Sequence, residues 1–308
     1  MKRDLIVALF GYSCMACALA ADYSECKSLS VDKYQVAPHK EGFVAKSKDA
    51  YTYITKDSET KLFNQIPAIA DIVRVTGTDD GRHVLFSRKD GVSIVNIASK
   101  KTIHYDLNGG VKSGNIQILD GYAYGMAATG DLIKLNINKQ EKLAKPFDYK
   151  THYWLSTWKA NGGIYLLAQA GGPNSIEPAY ALPVDATLNL GEKIANKARF
   201  SQQRDGALGG TIDDSGMLGS YGSEVWVVSL FEEKIIIKLP RYDYDRHDPY
   251  NGYVYALKRN RGGLSIFQFG SNQPLQHIAD IAYIIAISKS GNEIIAGMKD
   301  DSVKMYCR

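Results

Sequence analysis

The chain has 308 residues, of which 45% are hydrophobic and 23% charged, with a formal net charge of +4. This composition excludes a disordered or fibrous chain and is typical of a globular protein. Lys and Arg are interspersed with Asp and never form a run longer than two residues. The sequence therefore also lacks the concentrated basic face that nucleic-acid binding requires.

The N-terminus has the pattern of an export signal. Lys2 and Arg3 precede an apolar run, Leu5–Leu19, which ends in small residues at the positions that a signal peptidase reads. The run is about 15 residues long, short of the ~20 needed to span a bilayer. We therefore predict cleavage after Ala20, giving a signal peptide of residues 1–20 and one mature domain of residues 21–308 without a transmembrane segment.

The four cysteines bear on both export and folding. A lipoprotein anchored through Cys14 or Cys17 is the alternative to simple cleavage, although neither cysteine has the usual Leu three positions upstream. Cleavage leaves Cys26 and Cys307, and an even pair in an exported chain predicts a disulfide, with two buried free thiols as the alternative. In the chain-entropy model a bond closing so long a loop contributes ~4–5 kcal/mol.

Repeated units begin at Glu41. The segment Glu41–Ile66 aligns with Arg82–Leu107 almost without adjustment, and such an internal repeat indicates a repeat architecture. The first unit is predicted to contain the strands Tyr34–Ala37, Phe43–Ser47, Ala50–Thr55 and Lys61–Ile66.

The second unit, Ile72–Leu107, shows the pattern most clearly. Its apolar runs are separated by Asp-Asp-Gly, Lys-Asp-Gly and Ser-Lys-Lys, which tolerate the backbone of tight turns. Runs rich in Val, Ile, Tyr and Phe between such turns predict a four-stranded antiparallel meander. The predicted strands are Ile72–Thr76, His83–Ser87, Val92–Ile97 and Thr102–Leu107.

Five further units follow at intervals of about 34 to 55 residues. The predicted strands are Asn115–Leu119, Gly121–Ala127, Leu132–Asn136 and Glu141–Phe147 in the third unit; Tyr153–Thr157, Ile164–Gln169 and Ala179–Val184 in the fourth, which carries the insertion Ala170–Pro178; Met217–Tyr221, Glu224–Leu230 and Lys234–Leu239 in the fifth, which begins at Ala207; Arg241–His247, Tyr253–Lys258, Leu264–Phe269 and Leu275–Ile278 in the sixth; and Ile281–Ile287, Glu293–Gly297 and Ser302–Tyr306 in the seventh.

The seventh unit lacks a fourth strand, whereas the segment Tyr23–Leu29 has no partner. If that segment completes the last unit, Cys26 lies beside Cys307 and the ends of the chain meet there. Sealing the first unit to the last also removes open sheet edges, which are an aggregation liability.

Several turns resemble those of a known repeat class. Thr78–Arg82 followed by His83–Phe86 resembles the Ser-Pro-Asp-Gly turn and strand of YVTN and WD40-like propeller repeats. Ser288–Asn292 and Asp300–Tyr306 resemble the turn and third strand of a WD40 blade, with Tyr306-Cys307 in place of the Trp-Asp pair. The resemblance implies an all-β fold, a single β-propeller of seven four-stranded blades whose loop-bearing faces bind other molecules, and no particular chemistry.

The most unusual stretch is Arg241–Tyr250, at the predicted innermost strand of blade six. Asp243, Asp245 and His247 alternate there, so strict alternation places them on one face of a strand lining the central channel. Such a group has the donors to ligate a divalent metal or bind a cationic ligand group, with His152 as a partner from another blade. The alternative is a solvated channel wall in which each Asp pairs with a neighbouring Arg.

An aromatic group in blade four is a second candidate. Alternation places Trp154 and Trp158 on one face, which favours packing between blades; at a channel rim they would instead form a stacking platform or protein-binding hot spot. Arg241 and Tyr242 complete the candidate binding residues. The remaining histidines are interpreted as structural.

Catalytic signatures are missing from the sequence. It contains no Gly-x-Ser-x-Gly, His-Glu-x-x-His or phosphate-binding glycine motif. We therefore expect a periplasmic or secreted, monomeric, non-enzymatic module that binds a protein partner through its loop face and needs no cofactor. A periplasmic immunity protein neutralising a toxin and an envelope factor both fit. The alternative is a lactonase-like or lyase-like propeller enzyme with a metal or acid–base site in the channel.

Overall fold

The computed structural model describes residues 22–31, 35–47, 50–62, 72–78, 80–111, 116–148, 152–160, 162–170, 180–195, 217–221, 224–228, 235–240, 244–250 and 252–308. All regular elements in these ranges are strands, and they form seven antiparallel sheets, numbered here as blades one to seven. No helix in these ranges is long and apolar enough to cross a membrane.

The strands of the first four blades follow the chain. β1 (Ser24–Leu29) comes first but belongs to the last blade. Blade one contains β2 (Val36–Pro38), β3 (Phe43–Ser47), β4 (Ala50–Ile54) and β5 (Glu59–Lys61); blade two contains β6 (Ile72–Gly77), β7 (His83–Arg88), β8 (Gly91–Asn96) and β9 (Thr102–Asp106); blade three contains β10 (Gln117–Leu119), β11 (Tyr122–Met126), β12 (Asp131–Asn136) and β13 (Lys142–Pro146); blade four contains β14 (His152–Ala160), β15 (Gly163–Ala170), β16 (Tyr180–Val184) and β17 (Ile194–Ala195).

The last three blades differ in how many strands are described. Blade five contains β18 (Met217–Tyr221), β19 (Glu224–Val228) and β20 (Ile235–Pro240); blade six contains β21 (Tyr244–Tyr250), β22 (Tyr253–Lys258), β23 (Leu264–Gln268) and β24 (Pro274–Ile278); blade seven contains β25 (Ile281–Ile287), β26 (Glu293–Met298), β27 (Val303–Cys307) and, outermost, β1. The predicted start of blade five at Ala207 and residues 171–178 of the predicted insertion lie outside the described residues.

Two strands differ from the predicted bounds within the described residues. The outer strand of blade one begins at Glu59, two residues before the predicted start at Lys61, because a tight turn closed by the bond from the Thr55 N–H to the Ser58 carbonyl returns the chain early. The first strand of blade six continues to Tyr250, three residues past the predicted end at His247. Residues 63–66 and 241–243 of these predicted strands lie outside the described residues. A two-residue turn with Gly252 at φ +81° pairs Tyr250 with Tyr253 and so fixes where that strand ends.

The middle strand β7 of blade two lies between blades one and three, which explains why it is buried along its whole length. In β7 the side chains of Val84 and Phe86 pack against blade one, whereas that of Leu85 packs against blade three. Successive side chains of a strand point to opposite faces, so both faces of this strand are core. The apolar runs in the sequence are therefore fully buried strands rather than half-exposed ones.

The ring closes between blades one and seven. The first strand β2 contacts β6 on one side and β25 on the other. Phe43 and Ala45 of blade one share an apolar cluster with Ile295 and Met305 of blade seven. Similar clusters join blades one to two, two to three, three to four, five to six and six to seven among the described residues. This closed arrangement is the predicted β-propeller.

β1 completes blade seven from the opposite end of the chain. It pairs antiparallel with β27, with Ser24 opposite Cys307 and Leu29 opposite Val303. Cys26 is the extra residue of a bulge in β1 and forms a disulfide with Cys307 across a Cα–Cα distance of 5.8 Å and a sequence separation of 281. The predicted closure by the N-terminal strand and a terminal disulfide is confirmed.

The residue before β1 anchors the strand to blades six and seven. The buried Tyr23 hydroxyl lies 2.9 Å from that of Tyr255 and donates to the Gly291 carbonyl. The backbone of Tyr23 forms two hydrogen bonds with the Gln276 amide, at 2.9 and 2.8 Å. The guanidinium of Arg308 lies over the Tyr23 ring at 5.5 Å. The ends of the chain are thus held by side-chain contacts as well as by strand pairing and the disulfide.

Removing the disulfide should destabilise the ring without changing its fold, because the β1–β27 hydrogen bonds remain. The double substitution Cys26→Ser, Cys307→Ser is expected to lower the free energy of unfolding by up to ~4–5 kcal/mol in the chain-entropy model. Urea unfolding with and without reductant measures the effect. Reductant should shift the wild-type midpoint and leave that of the double variant unchanged; equal wild-type and variant midpoints under oxidising conditions would contradict the expectation.

The contact between the first strands of blades one and two requires a glycine at position 77. A Cβ there would lie 2.0 Å from the Pro38 carbonyl oxygen, which is backbone and has little room to move. Gly77→Ala should therefore lower the free energy of unfolding by about 1–3 kcal/mol through overpacking. Gly191→Ala is the matched control, because its Cβ would meet only Pro183 side-chain atoms, at 3.3 Å. Equal unfolding temperatures of the two variants would show that the Pro38 carbonyl does not require a glycine at position 77.

Candidate binding face

One rim of the ring carries the turns between the first and second strands of the blades, and we call it the turn face. On it, the turns of blades seven, one and two are joined by backbone hydrogen bonds. The Lys289 N–H donates to the His39 carbonyl at 2.7 Å, and the Ser290 N–H donates to the Lys40 carbonyl at 2.8 Å. The Lys40 N–H donates in turn to the Thr78 carbonyl at 3.0 Å. The three turns therefore form one continuous arc on this face.

An Asp–His–Asn chain holds the blade-two turn. The Asn96 side-chain oxygen accepts the Ser99 N–H at 2.9 Å, which directs the Asn96 NH₂ group to His83 Nε2 at 3.2 Å. His83 Nε2 is then an acceptor, and Nδ1–H donates to Asp80 Oδ2 at 2.6 Å. Burial acts to raise the pKa of Asp80 but is outweighed by hydrogen bonds from His83, Thr78 and the backbone, which hold it well below its usual range. Both nitrogens of the buried His83 are bonded, so this chain holds the blade-two turn against the second and third strands.

His39 lies at the centre of the arc and is fully buried. Its Nε2 bonds to the His83 carbonyl at 3.0 Å, and its ring meets the Tyr53 ring edge-on at 4.9 Å. Nδ1 has no hydrogen-bond partner among the described residues. Burial lowers the pKa of His39 to about 4, the bond to His83 opposes this, and the nearby Lys289 charge lowers the pKa further. His39 is therefore neutral at physiological pH.

The acidic group of the arc is Glu293, which is also buried. One of its carboxylate oxygens accepts the Gly42 N–H and the Ser290 hydroxyl, both at 3.3 Å. Burial, together with the Glu293 and Glu41 carboxylates, raises the pKa of Tyr53 to about 12. The Tyr53 hydroxyl stays protonated and donates to the Glu41 carbonyl. The carboxylate of Glu293 therefore links the turns of blades one and seven by accepting a hydrogen bond from each.

The basic residue of the arc is Lys289, in the blade-seven turn. Burial lowers the pKa of Lys289 to about 8, and the charge of Lys159, on β14 of blade four, lowers it further, whereas Asp80 raises it. Both lysines are partly buried. The charged form of Lys289 is therefore disfavoured in the turn.

The predicted channel residues lie partly outside the described structure. Arg241, Tyr242 and Asp243 fall outside the described residues, and Asp245 and His247 lie on β21. The backbone register shows a bulge between Tyr244 and Arg246, which leaves Asp245 without a partner across the ladder. The strict alternation from Asp243 to His247 assumed from the sequence is therefore interrupted. Their role as a binding or metal site stays a prediction.

A second bulge changes the aromatic group of blade four. Position 154 pairs with Ala168 and position 158 with Tyr165, three residues apart on β15, because the register shifts at Leu155. Directly paired residues share a face, so Trp154 and Trp158 occupy positions on opposite faces of the sheet, not on one face as alternation predicts. His152 begins β14, and first strands of successive blades run the same way, so it lies at the rim opposite the turn face, as does the start of β21.

Two serine–histidine pairs were not predicted from the sequence. The Ser93 hydroxyl lies 3.2 Å from His104 Nδ1 in blade two, and the Ser265 hydroxyl lies 3.0 Å from His277 Nδ1 in blade six. Each serine is buried and directly opposite its histidine across the third and fourth strands, so it braces the sheet and is not an accessible nucleophile. The sequence feature that could have indicated these pairs is the similarity of two segments, Gly91–Asn96 (GVSIVN) and Gly263–Gln268 (GLSIFQ).

Metal-ligand geometry is not found in the part of the chain that the structure describes. No group of three or more His, Cys, Asp or Glu side chains there is arranged to hold a metal ion.

Comparisons with known proteins identify a fold and no family. No protein-family model and no curated protein matches the chain. BamB from Moraxella catarrhalis superposes with a TM-score of 0.57 at 12% identity, over 94% of this chain and 98% of that one. The Cps50 (Swd1) β-propeller domain from Myceliophteria thermophila gives 0.58 at 9% identity, over 93% and 100%. A chain of the mitotic checkpoint complex gives 0.54 at 12% identity, over 100% and 97%. These likenesses show a β-propeller and nothing finer.

The buried His39 should make stability depend on pH. Its folded pKa of about 4 lies below the value of about 6.5 expected in the unfolded chain, so the unfolded state takes up the proton first. The free energy of unfolding should therefore fall by roughly 3 kcal/mol as pH drops from about 6.5 to about 4. Denaturant titrations across this range, on wild type and His39→Gln, measure the slope.

His277→Gln is the matched control, because His277 is exposed and also bonded to one hydroxyl. We expect His39→Gln to flatten the pH dependence between about 6.5 and 4. His277→Gln removes an exposed histidine instead and so separates the effect of the buried His39 from that of losing one imidazole. The Asp80 contribution lies in a lower window, because a depressed carboxyl pKa stabilises above about 3.8 and is lost only as pH falls further. A slope in His39→Gln equal to that of wild type would show that His39 does not control it.

Proposed function

We propose that the protein is an exported β-propeller that binds a protein partner through its turn face and catalyses no reaction. The observation that carries the proposal is that backbone hydrogen bonds join the three turns into one arc. This arc lies on a ring that is closed by the pairing of β1 with β27 and by a disulfide. A surface already held in place loses little conformational entropy on binding, which favours recognition of a partner.

Two observations support export. The disulfide between Cys26 and Cys307 is of the kind that persists in oxidising compartments and is rare in the cytosol. Both cysteines follow the predicted cleavage site after Ala20, so both would remain in the mature chain. We therefore propose a periplasmic or secreted, monomeric protein.

Structural likeness supports a binding role in general terms. The neighbour from the mitotic checkpoint complex is a propeller found within a protein complex. Immunity proteins that neutralise a toxin and envelope factors are both binding modules of the proposed kind. The identity of the bound partner separates them.

Site-directed photo-cross-linking in the cells that export the protein tests the proposal. A cross-linking residue replaces Arg82 or, as the control, Lys89; both are exposed, and they flank the two ends of β7 on opposite rims. Contact through the turn face predicts a stoichiometric cross-linked protein from position 82 and none from position 89.

Native mass spectrometry of the same purified protein, before and after chelation, supplies the opposing outcome. A partner cross-linked only from position 89, or no partner together with a divalent metal that chelation removes, would contradict the proposal. The second result would favour the channel enzyme, with Asp243, Asp245 and His247 as the first residues to substitute.

A further inference from the structure

The outer strand of blade three is the most exposed outer strand in the part of the chain that the structure describes. All five residues of β13, Lys142–Pro146, are exposed, and the apolar Leu143 is 42% exposed. The described outer strands of blades one, two, four, six and seven each contain at least one partly or fully buried residue. The edge of β13 is therefore open to solvent along its whole length.

The register of blade three shows which backbone groups of β13 point away from the sheet. The Asn136 N–H donates to the Glu141 carbonyl at 3.0 Å, so these two opposed residues form a hydrogen-bonded pair. Hydrogen-bonded and non-hydrogen-bonded pairs alternate along an antiparallel ladder, so Leu143 and Lys145 bond to β12. The groups left on the outer edge are the N–H and C=O of Lys142, the N–H and C=O of Ala144, and the C=O of Pro146.

The equivalent edge in blade two is covered by protein. The same alternation turns the backbone of His104 and Asp106 on β9 outward. The His104 carbonyl accepts a hydrogen bond from the Gln140 side chain at 3.2 Å. The Asp106 carbonyl accepts one from the Lys142 ammonium at 3.0 Å. No described residue donates to the outward carbonyls of β13, so the edge that is satisfied in blade two is left open in blade three.

The charges of this edge are also left open. The Lys142 ammonium bonds to a backbone carbonyl of blade two, and the Lys145 ammonium bonds to the side-chain oxygen of Asn189 in blade four. Neither forms an ion pair with a carboxylate among the described residues. The nearest carboxylate along the chain, that of Glu141, accepts the Asn136 amide at 3.0 Å. β13 therefore combines free backbone groups with two cations that no carboxylate neutralises.

These lysines select which strand can add to the edge. Two copies of β13 placed side by side would bring lysines together, and like charges on paired strands are destabilising, so the edge is guarded against self-association. Lys142 and Lys145 are three residues apart and so lie on opposite faces of the sheet. Directly paired residues share a face, so an added strand matches both lysines when its own carboxylates are three residues apart.

We propose that β13 is a docking edge for an extended segment of a partner protein, which adds as a further strand of blade three and carries acidic side chains three residues apart. The outward backbone groups hold the segment, and the two lysines select it. This edge lies on the outer circumference of the ring, so it is a second surface, distinct from the turn face.

Two rhodamine-labelled peptides of one composition test the side-chain part of the proposal by fluorescence anisotropy. They are Thr-Glu-Val-Thr-Glu-Thr and Thr-Glu-Val-Glu-Thr-Thr, which place the carboxylates three and two residues apart. We expect the first to bind about threefold or more tightly than the second, whose carboxylates share one face. Lys142→Gln and Lys145→Gln should each abolish this preference. Lys299→Gln, at an exposed lysine in a turn of blade seven, is the matched control and should keep it.

Ala144→Pro tests the backbone part. The Ala144 N–H points outward, so proline removes a donor from the edge and none from the pairing with β12. The variant should bind the first peptide about tenfold or more weakly and unfold at nearly the wild-type temperature. In the wild type the same peptide should slow hydrogen exchange at the Ala144 amide, a measurement that needs no variant.

Three outcomes would overturn the inference. One is no rise in anisotropy for either peptide up to millimolar protein, and another is equal affinity of the wild type for the two peptides. The third is binding without protection of the Ala144 amide, which would place the peptide on a face of the sheet and not on its edge. Each of these results is independent of the cross-linking experiment, because positions 82 and 89 lie on the rims of blade two.

Discussion

The pairing of β1 with β27 is the interaction on which the rest of the structure depends. Blade seven packs on blade six on one face and on blade one on the other, so the ring is closed only if blade seven is complete. Because the strand that completes blade seven comes from the start of the chain, opening the ring requires separating the chain ends. The disulfide and the Tyr23 contacts act at that same place. Closure is thus one event with three physical components.

Closure also determines what the turn face can be. The backbone bonds from Lys289 and Ser290 to His39 and Lys40 exist only because blades seven and one are neighbours in the closed ring. A binding face built on these turns therefore depends on the pairing of β1 with β27 at the outer edge of blade seven. The same ring closure therefore stabilises the fold and fixes the shape of the candidate face.

The sequence predicted the blades well because its repeat and its turns are local signals. The Asp80-Gly81 turn and the apolar runs of blade two define strands without reference to distant residues. Even the unpaired strand at the N-terminus could be assigned, because the seventh unit visibly lacked one. The predicted bounds were wrong where a tight turn, such as that at Gly252, fixes the end of a strand, because composition does not indicate where such a strand ends.

The candidate site was less predictable because it depends on register and on contacts between blades. Bulges at Leu155 and Asp245 reverse or interrupt the alternation that grouped Trp154 with Trp158 and Asp243 with His247. A bulge adds one residue without a strong sequence signal, and one residue is enough to exchange the two faces of a strand.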